Sequence, residues 1–339
     1  MIAFASPSPR LLPPEEPGGF CWWYLDLVDA RGDGVVLIWG FALPFLEPAP
    51  EEAAANAPFL NLCAYQGGTC TYYHLEQLDP ADVRLEGNTW RFGRSTLLSA
   101  RVRRAWEVRA SLDLAVPGST DRVRARVEVE GAAVHGGPDE RGPHQWSPLT
   151  AAAEGWANIE REGTVLLDLR GRAYHDHNVG TAPLGTFGIR EWAWGRVALP
   201  DADLVHYVCW PISSADRVRS FSARIGRDGQ VDVVEGPVME SARGAARWGL
   251  RLPDELAVSD HAFTRGTIVD SAPFYARFSL TRGDARGWGE RVRPGAIGLP
   301  WMRPLVRMRV TGPDPSMWLP LFSGPRGDRL SRTVASWVG

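Results

Sequence analysis

Residues 122–130 read Arg, Val, Arg, Ala, Arg, Val, Glu, Val, Glu, an almost unbroken alternation of charged and apolar side chains. Side chains on a strand alternate between faces, so this pattern buries one face and leaves the other in water, as in an antiparallel sheet. Short apolar runs of strand character recur along the chain. Residues 35–41 follow the turn Arg31-Gly32-Asp33-Gly34. Residues 164–169, 204–210, 218–225 and 230–234 continue the series, with Arg227-Asp228-Gly229 turning between the last two. Residues 274–280 and 306–310 close it. Helix signals are scarce, and the Ala- and Glu-rich residues 46–57 leave a choice between a short helix and a loop. Short strands punctuated by Gly, Pro and Asp predict an all-β sandwich or barrel. At 339 residues the chain is long enough for two such units. The Gly- and Pro-containing stretch 179–189 marks the boundary, giving units over 1–182 and 183–339.

Composition removes several function classes. A net charge of −3 offers nucleic acid no electrostatic footing, so no nucleic-acid partner is expected. All 37 basic residues are Arg. Without Lys there is no Schiff-base chemistry and no phosphate-loop lysine, and no nucleotide-binding glycine motif occurs. No nucleophile-elbow serine motif occurs either. Cys21, Cys63, Cys70 and Cys209 show no C-x-x-C spacing, so neither a zinc site nor a redox motif is expected. Buried reduced thiols are favoured over a Cys63–Cys70 bridge. No signal peptide and no run of about 20 apolar residues is visible, which predicts a cytoplasmic protein.

The densest polar cluster is Tyr174-His175-Asp176-His177-Asn178. On a strand, Tyr174, Asp176 and Asn178 point one way and His175 and His177 the other. Asp176, among aromatic neighbours, is a candidate proton donor if burial raises its pKa. Two imidazoles at i, i+2 are legitimate ligand geometry but too few for a metal site, so orienting hydrogen bonds are favoured and no metal is expected. His144 and Trp146 share a second strand face and gain weight if the fold brings them to Asp176. Most of the fifteen Trp belong in a core. The run Phe20-Cys21-Trp22-Trp23-Tyr24 cannot all enter one core, so some of these rings should line a cavity. Ring faces there stabilise a cation by about 0.5–2 kcal/mol each. The boundary at 179–189 puts this site where two β units meet.

In register along most of the chain, these segments resemble the carotenoid 1,2-hydratase (hydroxyneurosporene synthase) family. The resemblance is carried by Phe20-Cys21-Trp22-Trp23-Tyr24-Leu25-Asp26, Leu60-Asn61-Leu62-Cys63-Ala64-Tyr65, His144-x-Trp146-x-Pro148 and the Tyr174–Asn178 cluster. Trp192-Ala193-Trp194-Gly195-Arg196, Pro273-Phe274-Tyr275-x-Arg277, Gly287-x-Gly289-Glu290 and Arg307-Met308-Arg309 extend it. It implies two lipocalin-like antiparallel β domains packed together. It also implies a catalytic set of His144, Trp146, Tyr174 and Asp176. Trp22, Trp23, Tyr24, His175, Asn178, Trp194 and Tyr275 are then expected to contact substrate. The implied reaction is a cofactor-independent hydro-lyase step on an acyclic carotenoid or other isoprenoid. Asp176 protonates a terminal alkene, aromatic rings stabilise the tertiary cation, and water held by His144 or Asn178 adds to it. Two other readings stay open: a terpenoid or polyene cyclase or pericyclase using the same acid, and a non-catalytic carrier of apolar ligands. An apolar substrate also implies peripheral contact with the inner membrane.

Overall fold

The computed structural model describes residues 2–6, 12–42, 53–117, 119–272, 274–297, 306, 308–312 and 324–325. The first strands are β1 (Ile2–Phe4), β2 (Phe20–Val28), β3 (Gly34–Phe41), β4 (Pro58–Gln66), β5 (Thr69–Gln77) and β6 (Val83–Glu86). Next come β7 (Thr89–Phe92), β8 (Ser95–Val102), β9 (Ala105–Ala115), β10 (Arg122–Ala132), β11 (His144–Arg161) and β12 (Thr164–Gly180). After residues 181–188 follow β13 (Ile189–Ala198), β14 (Ala202–Pro211), β15 (Arg219–Gly226), β16 (Val231–Glu235), β17 (Val238–Glu240) and β18 (Gly244–Arg247). The series ends with β19 (Leu250–Pro253), β20 (Glu255–Val258), β21 (His261–Ala272), β22 (Tyr275–Arg282), β23 (Ala285–Val292) and β24 (Gly324–Pro325).

Two curled sheets result, as the all-β lipocalin-like expectation required. The first runs β24-β5-β4-β3-β2-β12-β11-β10-β9-β8-β7-β6, with β1 lying parallel to β11. The second runs β16-β15-β14-β13-β23-β22-β21-β20-β17, and β18–β19 form a separate hairpin. The alternating stretch is β10, with Val123, Ala125, Val127 and Val129 buried and the intervening charges largely in water. In contrast, β2, β3 and the last half of β12 are buried on both faces. One face lines the interior of the first sheet's curl and the other meets the second sheet. Strands buried on both sides read as continuous apolar runs, which is how 35–41 looks in sequence. Any polar side chain on such a strand must find its partner inside the protein.

One strand expectation fails. Residues 306–310 do not extend along a sheet edge: the Arg309 N–H returns to the Val306 carbonyl at 2.9 Å, closing a turn. Val306 packs on Ala272 and Phe274, and Arg309 reaches Asp270 at 2.7 Å. The apolar and basic positions there serve contacts with β21 and β22 instead of a ladder. Within 46–57, residues Ala54–Asn56 form a single 3-10 turn. Residues 46–52, Pro273 and Arg307 lie outside the described residues. Among the described residues no helix is long and apolar enough to cross a membrane. Cys63 is a buried thiol.

Candidate active site

Three adjacent strands build the site. In the β12–β2 register Asp176 lies opposite Tyr24, Asn178 opposite Trp22 and Tyr174 opposite Asp26. In the β11–β12 register Trp146 lies opposite Asn178 and Pro148 opposite Asp176. Directly opposed residues share a face, so Trp22, Tyr24, Asp26, Trp146, Tyr174, Asp176 and Asn178 all project toward the second sheet.

Asp176, 2% exposed, is the centre of this group. Its Oδ2 accepts from Trp146 Nε1 at 2.8 Å and from the Tyr174 hydroxyl at 2.9 Å. Its Oδ1 accepts from Asn178 Nδ2 at 2.9 Å. Asn178 Oδ1 in turn accepts from His144 Nε2 at 3.1 Å. Three donors fill three of the four lone-pair positions of a carboxyl group and leave one on Oδ1, where a proton fits. Burial pushes the Asp176 carboxyl up to about 7; the Trp146 and Tyr174 donors pull the other way, and the charges of Asp26 and Glu290 add to the rise. Burial holds His144 neutral by lowering its pKa to about 3.

Aromatic rings of the second sheet close over this cluster. Trp194 stands edge-on to Tyr24 at 4.9 Å and lies 6.0 Å from Tyr174. Tyr207 and Phe221 cover Trp146 at 5.9 and 5.6 Å. Beside it a cavity opens between the sheets, walled by Trp22, Tyr24, Ile38 and Phe59 on one side and Trp192 and Phe274 on the other. Its polar wall carries Tyr65, Tyr275, Arg277 and Glu290. Trp22 and Tyr24 therefore belong to both places: they line the cavity and flank Asn178 and Asp176 in register.

The structure thus brings His144, Trp146, Tyr174, Asp176 and Asn178 into one hydrogen-bonded chain, with Trp22, Tyr24 and Trp194 around it. Tyr275 sits on the far wall of the cavity, donating to Glu290 Oε1 at 3.1 Å. Trp23 and His175 are elsewhere. They occupy the opposite face, where Trp23 stacks on Trp39 at 5.8 Å. His175 bonds the Tyr24 carbonyl at 2.7 Å and the Ser99 hydroxyl at 2.8 Å. Neither touches the Asp176 carboxyl, so His175 cannot tune it by a hydrogen bond. Asn178, expected to hold water, spends one N–H on Asp176 and one oxygen lone pair on His144.

Sequence reasoning missed two buried ionic groups. Arg196 is fully buried between Asp26, on β2, and Asp203, on β14, at 3.0 Å from the latter. Burial opposes its charge, but the two carboxylates outweigh that and raise its pKa. Asp203 Oδ2 also accepts from Ala152 N at 2.7 Å, in a bulge of β11 where Ala152 has φ 50°. Arg277 donates to the Tyr65 hydroxyl at 2.8 Å and pairs with Glu290. Arg196, Arg277 and Glu290 all stand in the segments that carried the resemblance, but Asp26 lies 170 positions from Arg196 and Tyr65 lies 212 from Arg277.

A two-sheet lipocalin-like architecture with a buried carboxyl among aromatic rings defines the class. The profile of the carotenoid hydratase CrtC family matches residues 44–311, and the chain belongs to that family. A hydroxyneurosporene dehydrogenase of Chlorobaculum tepidum is 28% identical over 308 residues, 78% of each chain. An acyclic carotenoid 1,2-hydratase of Rubrivivax gelatinosus is 27% identical over 296 residues, 81% of this chain and 68% of the relative. An AttH crystal structure from Nitrosomonas europaea shares the fold, with a TM-score of 0.55, 15% identity and coverage of 83% of this chain and 99% of that one.

Proposed function

We propose that the protein is a hydratase that adds water to a terminal trisubstituted alkene of an acyclic carotenoid. The observation that carries this reading is the Asp176 carboxyl: enclosed among Trp146, Tyr174 and Asn178, it is pushed up to about 7 by burial, against the pull of the Trp146 and Tyr174 donors. An acid of this kind still carries its proton near neutral pH, where an exposed aspartate has lost it. The family and the acyclic carotenoid hydratase among its relatives support the substrate class.

In this reading the alkene end enters between Tyr24 and Trp194. Asp176 gives its proton to the less substituted carbon, leaving a tertiary cation. The rings of Tyr24, Tyr174 and Trp194 face that cation and contribute about 0.5–2 kcal/mol each in a dry site. Asn178 and His144 orient the carboxyl through their relay. Water then adds to give a tertiary alcohol. The test is incubation of the purified protein with an acyclic carotenoid in heavy-oxygen water. A tertiary alcohol carrying one label is expected; a product of unchanged mass would reject hydration.

The working form of Asp176 is the protonated one, so activity is expected to fall as pH rises through about 7. The decline should approach about tenfold per pH unit on the alkaline side. Burial of Asp176 sets this limb, and Asp26, itself pushed up to about 6 by burial against the pull of Arg196, adds to it together with Glu290. A pH–rate profile with its alkaline limb near 4, the range of an exposed aspartate, would rule out a buried neutral acid.

A further inference from the structure

The first sheet supplies an acid, but hydration also needs a base. Water joining a tertiary cation forms a protonated alcohol, and that proton must leave. Asn178 and His144 Nε2 bond each other and Asp176, while His144 Nδ1 has no partner among the described residues and its ring is packed among Phe20, Trp22 and Phe187. The second sheet presents a carboxylate to the same space. In the β13–β23 and β22–β23 registers Trp194 lies opposite Glu290 and Glu290 opposite Arg277, so all three share a face. Trp194 meets Tyr24 across the gap, and Tyr24 is the cross-strand neighbour of Asp176. Glu290 thus stands about one strand beyond the ring pair that covers the acid, on the wall of the cavity.

Its geometry is one-sided. Tyr275 and Arg277 Nε both donate to Oε1, each at 3.1 Å, and Arg277 Nη2 adds a third bond to that same oxygen. Among the described residues none bonds Oε2. Arg277 is anchored on the Tyr65 hydroxyl, across the sheets. The two glycines before Glu290 leave room for this placement. A Cβ on Gly287 would lie 1.8 Å from the Arg196 carbonyl, and one on Gly289 would lie 2.4 Å from the Phe278 ring. Those close approaches press β23 onto its neighbours and fix where Glu290 emerges.

We infer that Glu290 Oε2 is the base that takes the proton of the attacking water, with Arg277 and Tyr275 positioning its carboxylate. This rests on the reading of Asp176 as the acid. The alkene π pair takes the Asp176 proton and forms a C–H bond. A water lone pair then forms the C–O bond to the cationic carbon. One water O–H bond breaks, its electrons stay on oxygen, and its proton passes to Glu290. Alkene plus water gives alcohol, with Asp176 now charged and Glu290 neutral; return of one proton from Glu290 to Asp176 through water restores the start. The two carboxyls stand on opposite sheets, Asp176 held by uncharged donors and Glu290 ion-paired with Arg277, the arrangement acid–base pairs use.

The experiment reads how the cation partitions. Lycopene is incubated with the full-length protein in heavy water enriched in heavy oxygen. Recovered alkene is analysed for deuterium and alcohol for heavy oxygen. In Glu290→Gln, labelled alcohol should fall at least about 100-fold while deuterium still enters recovered alkene, because the cation forms and collapses back by losing a proton. Alcohol at the wild-type level overturns the inference. Loss of both signals in a folded variant also overturns it, since Glu290 would then act on acid delivery. Glu290→Asp keeps the charge beside Arg277 but withdraws the oxygen by one methylene. It guards against misfolding of the amide variant: the same shift toward deuterated alkene is expected, and unchanged alcohol is again fatal. Asp176→Asn should abolish both labels. Deuterium uptake persisting there sinks the reading of Asp176, whatever Glu290 does.

Discussion

Asp176→Asn is expected to lower hydration by at least about 10³-fold while leaving the protein folded. The amide has no acidic proton to give, yet it fills the same space between Trp146, Tyr174 and Asn178. Stability should move the other way, and its sign follows from linkage. The folded-state pKa is raised to about 7 from an ordinary 3.8. A group shifted upward contributes its full stability below 3.8 and loses it as pH rises toward about 7. Above that, wild type carries the whole penalty of burying the carboxyl, on the order of 2–4 kcal/mol. The Asn variant escapes it, so its melting temperature should exceed wild type at pH 8 and match it near pH 4. Equal or lower melting temperatures at pH 8 would mean that the carboxyl is not a strained, desolvated acid. A dead enzyme that is more stable than its parent is the signature of a group kept for chemistry.

The second large effect is structural. Arg196→Met should destabilise the protein by about 3–5 kcal/mol, because it strands Asp26 and Asp203 without their cation in a fully buried place. Thermal unfolding should start roughly 5 °C lower. The damage should be electrostatic more than steric. Adding Asp26→Asn and Asp203→Asn to Arg196→Met is expected to recover a substantial part of the loss, as hydrophobic or neutral replacement of whole buried ion groups does elsewhere. If the triple variant is no better than the single one, the loss lies in packing against Tyr174, whose ring Arg196 overlies at 5.8 Å.

The β architecture was legible because a period of two is written residue by residue, as in β10. The polar group on β12 was legible for the same reason: alternation separated Tyr174, Asp176 and Asn178 from His175 and His177 before any partner was known. What alternation does not give is the identity of each face. Trp23 and His175 were assigned to substrate along with their neighbours, but their face looks into the curl of the first sheet, toward Ser99 and Trp39. The ionic groups were the least legible. Arg196 pairs with Asp26 over 170 positions, and Arg277 reaches Tyr65 over 212. Such pairs arise from how two sheets dock, a relation no local pattern records. The strand expected at 306–310 failed because its apolar residue packs on Phe274 and its basic one pairs with Asp270.

The last described part of the chain leaves the second sheet and returns to the first. Thr311 exchanges backbone hydrogen bonds with Leu75 and Gln77 at 2.9 and 2.8 Å, and β24 pairs with Tyr72 and Tyr73. These short pairings occupy the outer margin of β5, the end strand of a long sheet. An open strand margin invites pairing with another molecule. The segment therefore doubles as a shield against self-association, and a chain cut after Ile297 should tend to clump through β5 even with its acid and its rings intact.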